Sequence, residues 1–224
     1  MIRIVTIIGA RPQIIKAAAI SRTIRDFFTE TIQEIIVHTG QHYDENMSQV
    51  FIEQLQIPTP HYNLGIGSAS HGIQTARMIE KIENVLLTEK PDFVILYGDT
   101  NSTLAGAVAG AKIHIPVAHV EAGLRSFNKL MPEEINRLVT DAISDYFFTT
   151  SRDADDNLIQ EGQPKEKIFM VGNLMIDSLV ANLGKATKTE LCFTSLNRTQ
   201  QIVFGLQFIK KQYGVMTFHR PNNV

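Results

Sequence analysis

The sequence has a single cysteine, Cys192, in 224 residues. That excludes an internal disulfide framework and fits a reducing compartment. It also lacks a dominant charge: 21 Lys and Arg face 23 Asp and Glu, a formal net charge of −2. The basic residues are scattered rather than striped, so there is no electrostatic case for nucleic acid or an anionic membrane surface as partner. No apolar run reaches membrane-spanning length, and the N-terminal "IVTIIGA" is cut off at once by Arg11 and Pro12. It is too short for a signal peptide and carries no cleavage pattern. Internal repeats and low-complexity tracts are absent too. With 44% hydrophobic and 20% charged residues, the chain can bury a sizeable core. The expectation is a soluble, cytoplasmic protein.

Short β-branched runs alternate with longer stretches of helical periodicity. Strands are expected at 2–9, 33–40, 92–99, 115–121, 145–150 and 166–173. Helices are expected at 13–28, 45–55, 72–90, 102–114, 132–144 and 151–162. Pro132 suits a first helical position, Ser151 an N-cap and Gly162 a helix stop. Continuous apolar strands alternating with helices imply a parallel sheet covered on both faces, a Rossmann-like doubly wound α/β domain over residues 1–171. Residues 172–212 read as a helix (173–186) followed by a polar linker. "YGVMTF", opening the 213–224 segment, reads as the first strand of a second, incomplete Rossmann-like unit.

In an open parallel sheet, ligands bind at the carboxyl ends of the strands, which selects four loops. In "GARPQ" a tight turn at Gly9, free N–H groups and Arg11 favour an anion such as a diphosphate, with Lys16 about one turn further on. Arg11 could equally be a solvated surface arginine, and there is no GxGxxG dinucleotide fingerprint. In "GDTNST", Asp99 could be a helix cap, although Thr100 to Ser102 can cap without it. Glu121 in "HVEAGLRS" ends an apolar strand and must be paired or face a cleft; an ion pair with Arg125 is the structural alternative. In "MPEEINR", Glu133 and Glu134 suit a helix's first turn in any case, and Glu133 is spaced for an i,i+4 pair with Arg137. No Cys/His cluster has metal spacing, and no Ser–His–Asp set is present. Carboxylates beside an anion site point to acid–base chemistry on a substrate with a phosphate leaving group.

"GARPQIIK", "HTGQHYDENM", "GDTNSTLAGA", "HVEAGLRS", "MPEEINR" and "FHRPNN" together resemble the non-hydrolysing UDP-N-acetylglucosamine 2-epimerase family, over residues 1–180 and again over 213–224. The resemblance implies half of a two-Rossmann GT-B fold, an active site between the two domains, and a homodimer. It implies elimination of UDP to a 2-acetamidoglucal and re-addition with the proton on the other face, requiring neither metal nor nicotinamide. Matched by motif, Asp99, Glu121 and Glu133 are the acid–base and intermediate-stabilising carboxylates. Arg11, Lys16, Arg137 and Arg220 match residues near the substrate, and His219 matches a histidine on the UDP phosphates. Gln41 and His42 match a segment tied in some members to a regulatory UDP-sugar site.

Two departures stand out. Asn222 occupies a position where the family usually has Glu, and family members continue well beyond this point, so the chain reads as C-terminally truncated. Residues after about 185 are accordingly expected to pack poorly. Three functions follow as expectations. The first is a 2-epimerase acting on UDP-N-acetylglucosamine or on the similar UDP-2,3-diacetamido-2,3-dideoxyglucuronate. The others are an inactive remnant and, less in keeping with the carboxylates, a GT-B glycosyltransferase.

Overall fold

The structure, a computed structural model, describes residues 1–40, 55, 57–186, 194–197 and 200–203. The helix expected at 45–55 lies almost wholly outside the described residues, as do Gln41, His42 and everything from 204 onward, His219, Arg220 and Asn222 included.

Seven parallel strands form one sheet: β1 (Ile2–Ile8), β2 (Ile32–His38), β3 (Tyr62–Asn63), β4 (Phe93–Tyr97), β5 (Val117–Ala122), β6 (Tyr146–Thr149) and β7 (Ile168–Met170). Their order is β3-β2-β1-β4-β5-β6-β7. This is the expected doubly wound arrangement, with its order reversing between β1 and β4. At such a reversal the connections leave for opposite sides, opening a crevice outside the strand ends. The two-residue β3 was not anticipated; a pair of residues has no readable alternation.

Six described helices accompany the sheet: α1 (Arg11–Thr23), α2 (His71–Glu89), α3 (Asn101–Lys112), α4 (Pro132–Ile143), α5 (Arg152–Gln160) and α6 (Leu174–Ala186). α1 runs on into a π-helical turn, Ile24–Phe28. α4 opens on Pro132, and α5 is capped by Ser151, whose hydroxyl accepts from the Ala154 N–H. α2 stops at Lys90, which takes a left-handed conformation.

Alternate residues of β1 point to opposite faces. Val5 and Ile7 pack with Val37, Leu96, Met78, Ile82 and the alanines of α3. Ile8 packs on the other face with Ile14, Ala17, Ile36 and Tyr97. The small residues of α3 let it approach closely: a Cβ on Gly106 would lie 2.5 Å from Leu96 Cδ2. A largely apolar cavity of about 930 Å³, lined by Ile4, Ile24, Phe93, Phe148, Leu174 and neighbours, lies between α1, α6 and one face of the sheet, and no residue of the four chemically marked loops lines it.

One compact unit comprises Met1–Asn182 and a second Leu183–Val224. Within the second, in the stretch read as a linker, β8 (Thr194–Asn197) and β9 (Gln200–Val203) pair antiparallel. No described helix is long and apolar enough to cross a membrane.

Candidate active site

The first loop is more closed than the sequence suggests. The N–H groups of Gly9 and Ala10 both donate to the side-chain oxygen of Gln13, at 2.9 and 3.0 Å. Those two donors are therefore not free for an anion, contrary to the expectation for "GARPQ". The Gln13 amide in turn donates to the Tyr97 carbonyl and the Thr103 hydroxyl, both at 3.0 Å. One fully buried side chain thus ties the end of β1 to the end of β4 and the start of α3. Gly9 is required here, because a Cβ would lie 2.1 Å from Thr39 Oγ1 and 2.2 Å from Ser102 Oγ. Arg11 stands exposed at the first position of α1.

Lys16, one turn later, is 7% exposed, and its ammonium makes a short ion pair with Glu121. The pair bridges residues 105 apart in sequence. Glu121 stands where β5 bulges: Val120 pairs with Phe148 and Ala122 with Thr149, leaving Glu121 as the extra residue. Its φ of 71° is left-handed, an uncommon conformation for a glutamate. A bulge of this kind re-aims a side chain, here out of the alternation that would fix its direction. Arg125, the partner anticipated for Glu121, instead pairs with Asp141 (2.8 Å) and Glu161. Gly98 lies directly against the Lys16–Glu121 pair, since a Cβ there would be 3.1 Å from both Glu121 Oε2 and Lys16 Nζ.

Asp99 follows Gly98. Thr100, not Asp99, caps α3 by accepting from the Thr103 N–H, so Asp99 has no capping duty. Its carboxylate pairs with Arg137 Nη2 across 38 residues. Arg137 also donates to Glu134 at 3.1 Å, so the anticipated i,i+4 pair with Glu133 gives way to contacts with Asp99 and Glu134. Asn136 fixes the same turn by donating to the Asp99 carbonyl at 2.9 Å. Glu134 is almost fully buried and accepts from the Ser126 N–H, the Ser126 hydroxyl and the Phe127 N–H at 2.8–2.9 Å. Burial alone pushes its carboxyl up, but these donors and Arg137 outweigh that and hold it below the ordinary value of 4.5. Glu134 is therefore the anchor of the 126–134 segment. Glu133, half-buried in the same first turn, makes no ion pair among the described residues.

The structure thus brings Lys16, Gly98, Asp99, Glu121 and Arg137 to the carboxyl ends of β4 and β5, beside the β1/β4 crevice, with Glu133 at the head of α4. Asp99 and Glu121 are each matched with one cation, and Glu133 has none among the described residues. Such a set can hold an anionic, polar ligand and exchange protons with it. Sequence reasoning missed Gln13 and Asp141 and read Glu134 only as a first-turn carboxylate; all three side chains bond to the backbone around the site. A glutamine four residues past a strand-ending glycine was the available signal for Gln13.

Residues 28–224 match the family described as UDP-N-acetylglucosamine 2-epimerase. A UDP-N-acetylglucosamine 2-epimerase homolog of Methanococcus maripaludis is 53% identical over 99% of this chain and 58% of its own length. The UDP-2,3-diacetamido-2,3-dideoxy-D-glucuronate 2-epimerase of Pseudomonas aeruginosa is 56% identical over 83% of this chain and 52% of its own. Among solved structures, the Methanocaldococcus jannaschii UDP-GlcNAc 2-epimerase, crystallised with UDP-GlcNAc and UDP, superposes with a TM-score of 0.81 at 51% identity. That match covers 84% of this chain and 51% of the other. The chain therefore spans little more than half the length of these relatives.

Proposed function

The chain belongs to the UDP-N-acetylglucosamine 2-epimerase family, and from that premise we propose that it carries the acid–base part of C2 epimerisation of a UDP-N-acetylhexosamine. The C2 proton of such a sugar is not acidic, because no carbonyl neighbours it. Elimination solves the problem. A base removes the C2 proton, the C2–H electron pair becomes the C1=C2 bond, and the C1–O bond breaks to release UDP. Return of UDP to C1, with a proton delivered to the other face of C2, gives the epimer. Electrons balance without any change of oxidation state.

Inversion needs proton-handling groups on both faces of the ring, so more than one acid–base group is called for, and a set of carboxylates can supply them. The observation that carries the proposal is the convergence of Asp99 and Glu121, each on its own cation, beside the crevice between β1 and β4. Glu133 is the third carboxylate assigned to this work. Lys16, Arg137 and Arg11 are assigned to the sugar-diphosphate, and His219 and Arg220 to the departing diphosphate, where cationic or N–H donors stabilise developing charge. Gln41 and His42 are assigned to a regulatory UDP-sugar site, and a homodimer is the proposed assembly. The sugar is UDP-N-acetylglucosamine or its diacetamido-uronate counterpart, since relatives named for each are similar to this chain.

The test is NMR in D2O with each sugar nucleotide in turn. Deuterium entering C2 together with a manno-configured product supports the proposal. Free UDP with a released manno sugar indicates hydrolysis rather than epimerisation. Binding without exchange, with either substrate, identifies a domain that needs residues outside this chain for turnover. A chain that shows no binding and no exchange with either sugar nucleotide overturns the assignment.

A further inference from the structure

Asp141, on α4, is fully buried and takes part in none of the chemistry proposed above, yet its carboxylate has three partners near the site. Its Oδ2 accepts from the Gly123 N–H at 3.0 Å and pairs with Arg125 Nη1 at 2.8 Å. Its Oδ1 lies 2.6 Å from His119 Nδ1. The other nitrogen of that ring, Nε2, is 2.7 Å from the Gly98 carbonyl. Asp141 therefore touches the turn that follows Glu121 and, through one imidazole, the turn that precedes Asp99. His119 and Asp141 are both fully buried, and the Arg125 side chain is nearly so.

The backbone between these contacts is under constraint. Glu121 has φ 71° and Gly123 has φ 79°, on either side of Ala122. A left-handed non-glycine residue is strained and persists only where its surroundings over-determine it. Three contacts supply that determination. Asp141 accepts from the Gly123 N–H, Asn157 donates to the Gly123 carbonyl at 2.9 Å, and the Ala154 carbonyl would lie 2.3 Å from a Gly123 Cβ. Without the first, the Gly123 N–H is a buried donor with no acceptor, and the segment gains by relaxing towards extended backbone. Relaxation would rotate Glu121 away from Lys16.

We infer that Asp141 is a positioning residue that holds Glu121 in its left-handed conformation and, through His119, keeps the Gly98–Asp99 turn in register with it. Its part in turnover rests on the reading of Glu121 and Asp99 as proton-transferring groups; its effect on the backbone does not. The carboxyl group need not be charged for this. An amide at the same place can still accept from Gly123 through its oxygen while its NH2 faces an unprotonated His119 Nδ1.

The experiment compares D141A with D141N in the full chain. The one-bond Cα–Hα coupling of Glu121 is read by NMR, since it separates positive from negative φ without needing turnover. D141A is expected to move that coupling to an extended-backbone value, and D141N to keep it. A folded D141A that retains the positive-φ value overturns the inference, as does a D141N that loses it. If D141A does not fold because the buried Arg125 keeps only Glu161 as a partner, R125M/D141L removes both buried charges together, and the same shift is expected of it. Where the wild-type chain shows C2 exchange, D141A should lower kcat on the order of 100-fold, the effect of misplacing a reacting group by about 1 Å. KM should stay within about twofold, and D141N should recover most of the rate; equal losses in both variants, with the coupling unmoved, also overturn the inference. Absence of wild-type turnover bears on the proposed function alone, because the coupling is read without substrate.

Discussion

Gly98 can be tested by adding a single methyl group. Its φ is 63°, and a Cβ would lie 3.1 Å from both Glu121 Oε2 and Lys16 Nζ. G98A combines two costs, backbone strain and crowding, that Gly65 and Gly123 bracket. Gly65 has nearly the same φ, 60°, but no atom within 4 Å of a Cβ, so G65A carries only the left-handed backbone penalty of about 1–2 kcal/mol. Gly123, at φ 79°, would place its Cβ 2.3 Å from the backbone oxygen of Ala154. G123A therefore adds overpacking of about 1–3 kcal/mol, because a helix rather than a side-chain tip must move. G98A belongs between them. Its methyl meets the ends of two flexible side chains, which can yield by a few tenths of an ångström, so its stability lies close to that of G65A. Its larger effect falls on the Lys16–Glu121 pair. The sequence has no tryptophan, so urea unfolding is followed by far-UV circular dichroism, and the pair by the carboxyl 13C shift of Glu121. The expected order of destabilisation is G65A, then G98A, then G123A, with the Glu121 shift moving in G98A and not in G65A. A G98A chain that unfolds with or after G123A, or leaves the Glu121 resonance unmoved, would refute the placement of that ion pair.

Replacing Gln13 with alanine leaves the Gly9 and Ala10 N–H groups without their acceptor; a loss of about 2–4 kcal/mol is expected in urea unfolding, from unsatisfied buried donors at about 1–3 kcal/mol each with partial relaxation. Glu34 is largely buried, with one bond from the Thr6 hydroxyl at 2.6 Å. Burial raises its carboxyl above 4.5, against smaller lowering contributions from Thr6, Ser21 and His61. The folded chain therefore binds this proton more tightly, and stability falls as pH rises from 4.5 through the raised value. E34Q should abolish that fall and be the more stable protein at pH 7 by thermal unfolding, while a parallel pH dependence in both proteins would count against it. Glu134 has the opposite sign: with its carboxyl held below 4.5, its contribution is present above that value and is lost as pH falls through the lowered one. E134Q should flatten the acid limb of the stability curve and lose about 1–3 kcal/mol at pH 7, since one acceptor oxygen becomes a donor facing N–H groups.

Most strands and helices could be read from the sequence because their signals are local. β1 is rich in isoleucine, β4 is an unbroken apolar run, α4 begins at a proline, and α5 has a serine cap. The loops bearing Lys16, Asp99, Glu121 and Glu133 could be located by the rule that ligands gather at strand ends. The pairings could not. Sequence spacing offers Glu121 to Arg125 and Glu133 to Arg137 because those residues are neighbours along the chain. The folded chain instead joins Lys16 to Glu121 and Asp99 to Arg137, over 105 and 38 residues. What decides these partners is strand order and the bulge at Glu121, neither of which leaves a periodic trace. Gln13 and Asp141 were passed over for a related reason: a buried polar side chain that serves the backbone resembles an ordinary helical residue until its partners are in view.

The sheet order carries a consequence for the time at which the site comes into being. β1 lies between β2 and β4, and β5 can add only once β4 offers it an edge. Lys16 is in place as soon as α1 docks on β1, but Glu121 reaches it only after β4 and β5 have both joined. Long-range parallel pairing is slow because loop closure must precede the contacts that reward it. The Lys16–Glu121 contact therefore requires β1, β4 and β5 to be assembled together. A nascent domain with two or three strands assembled has a partial core but no candidate site, and its appearance marks completion of the central sheet.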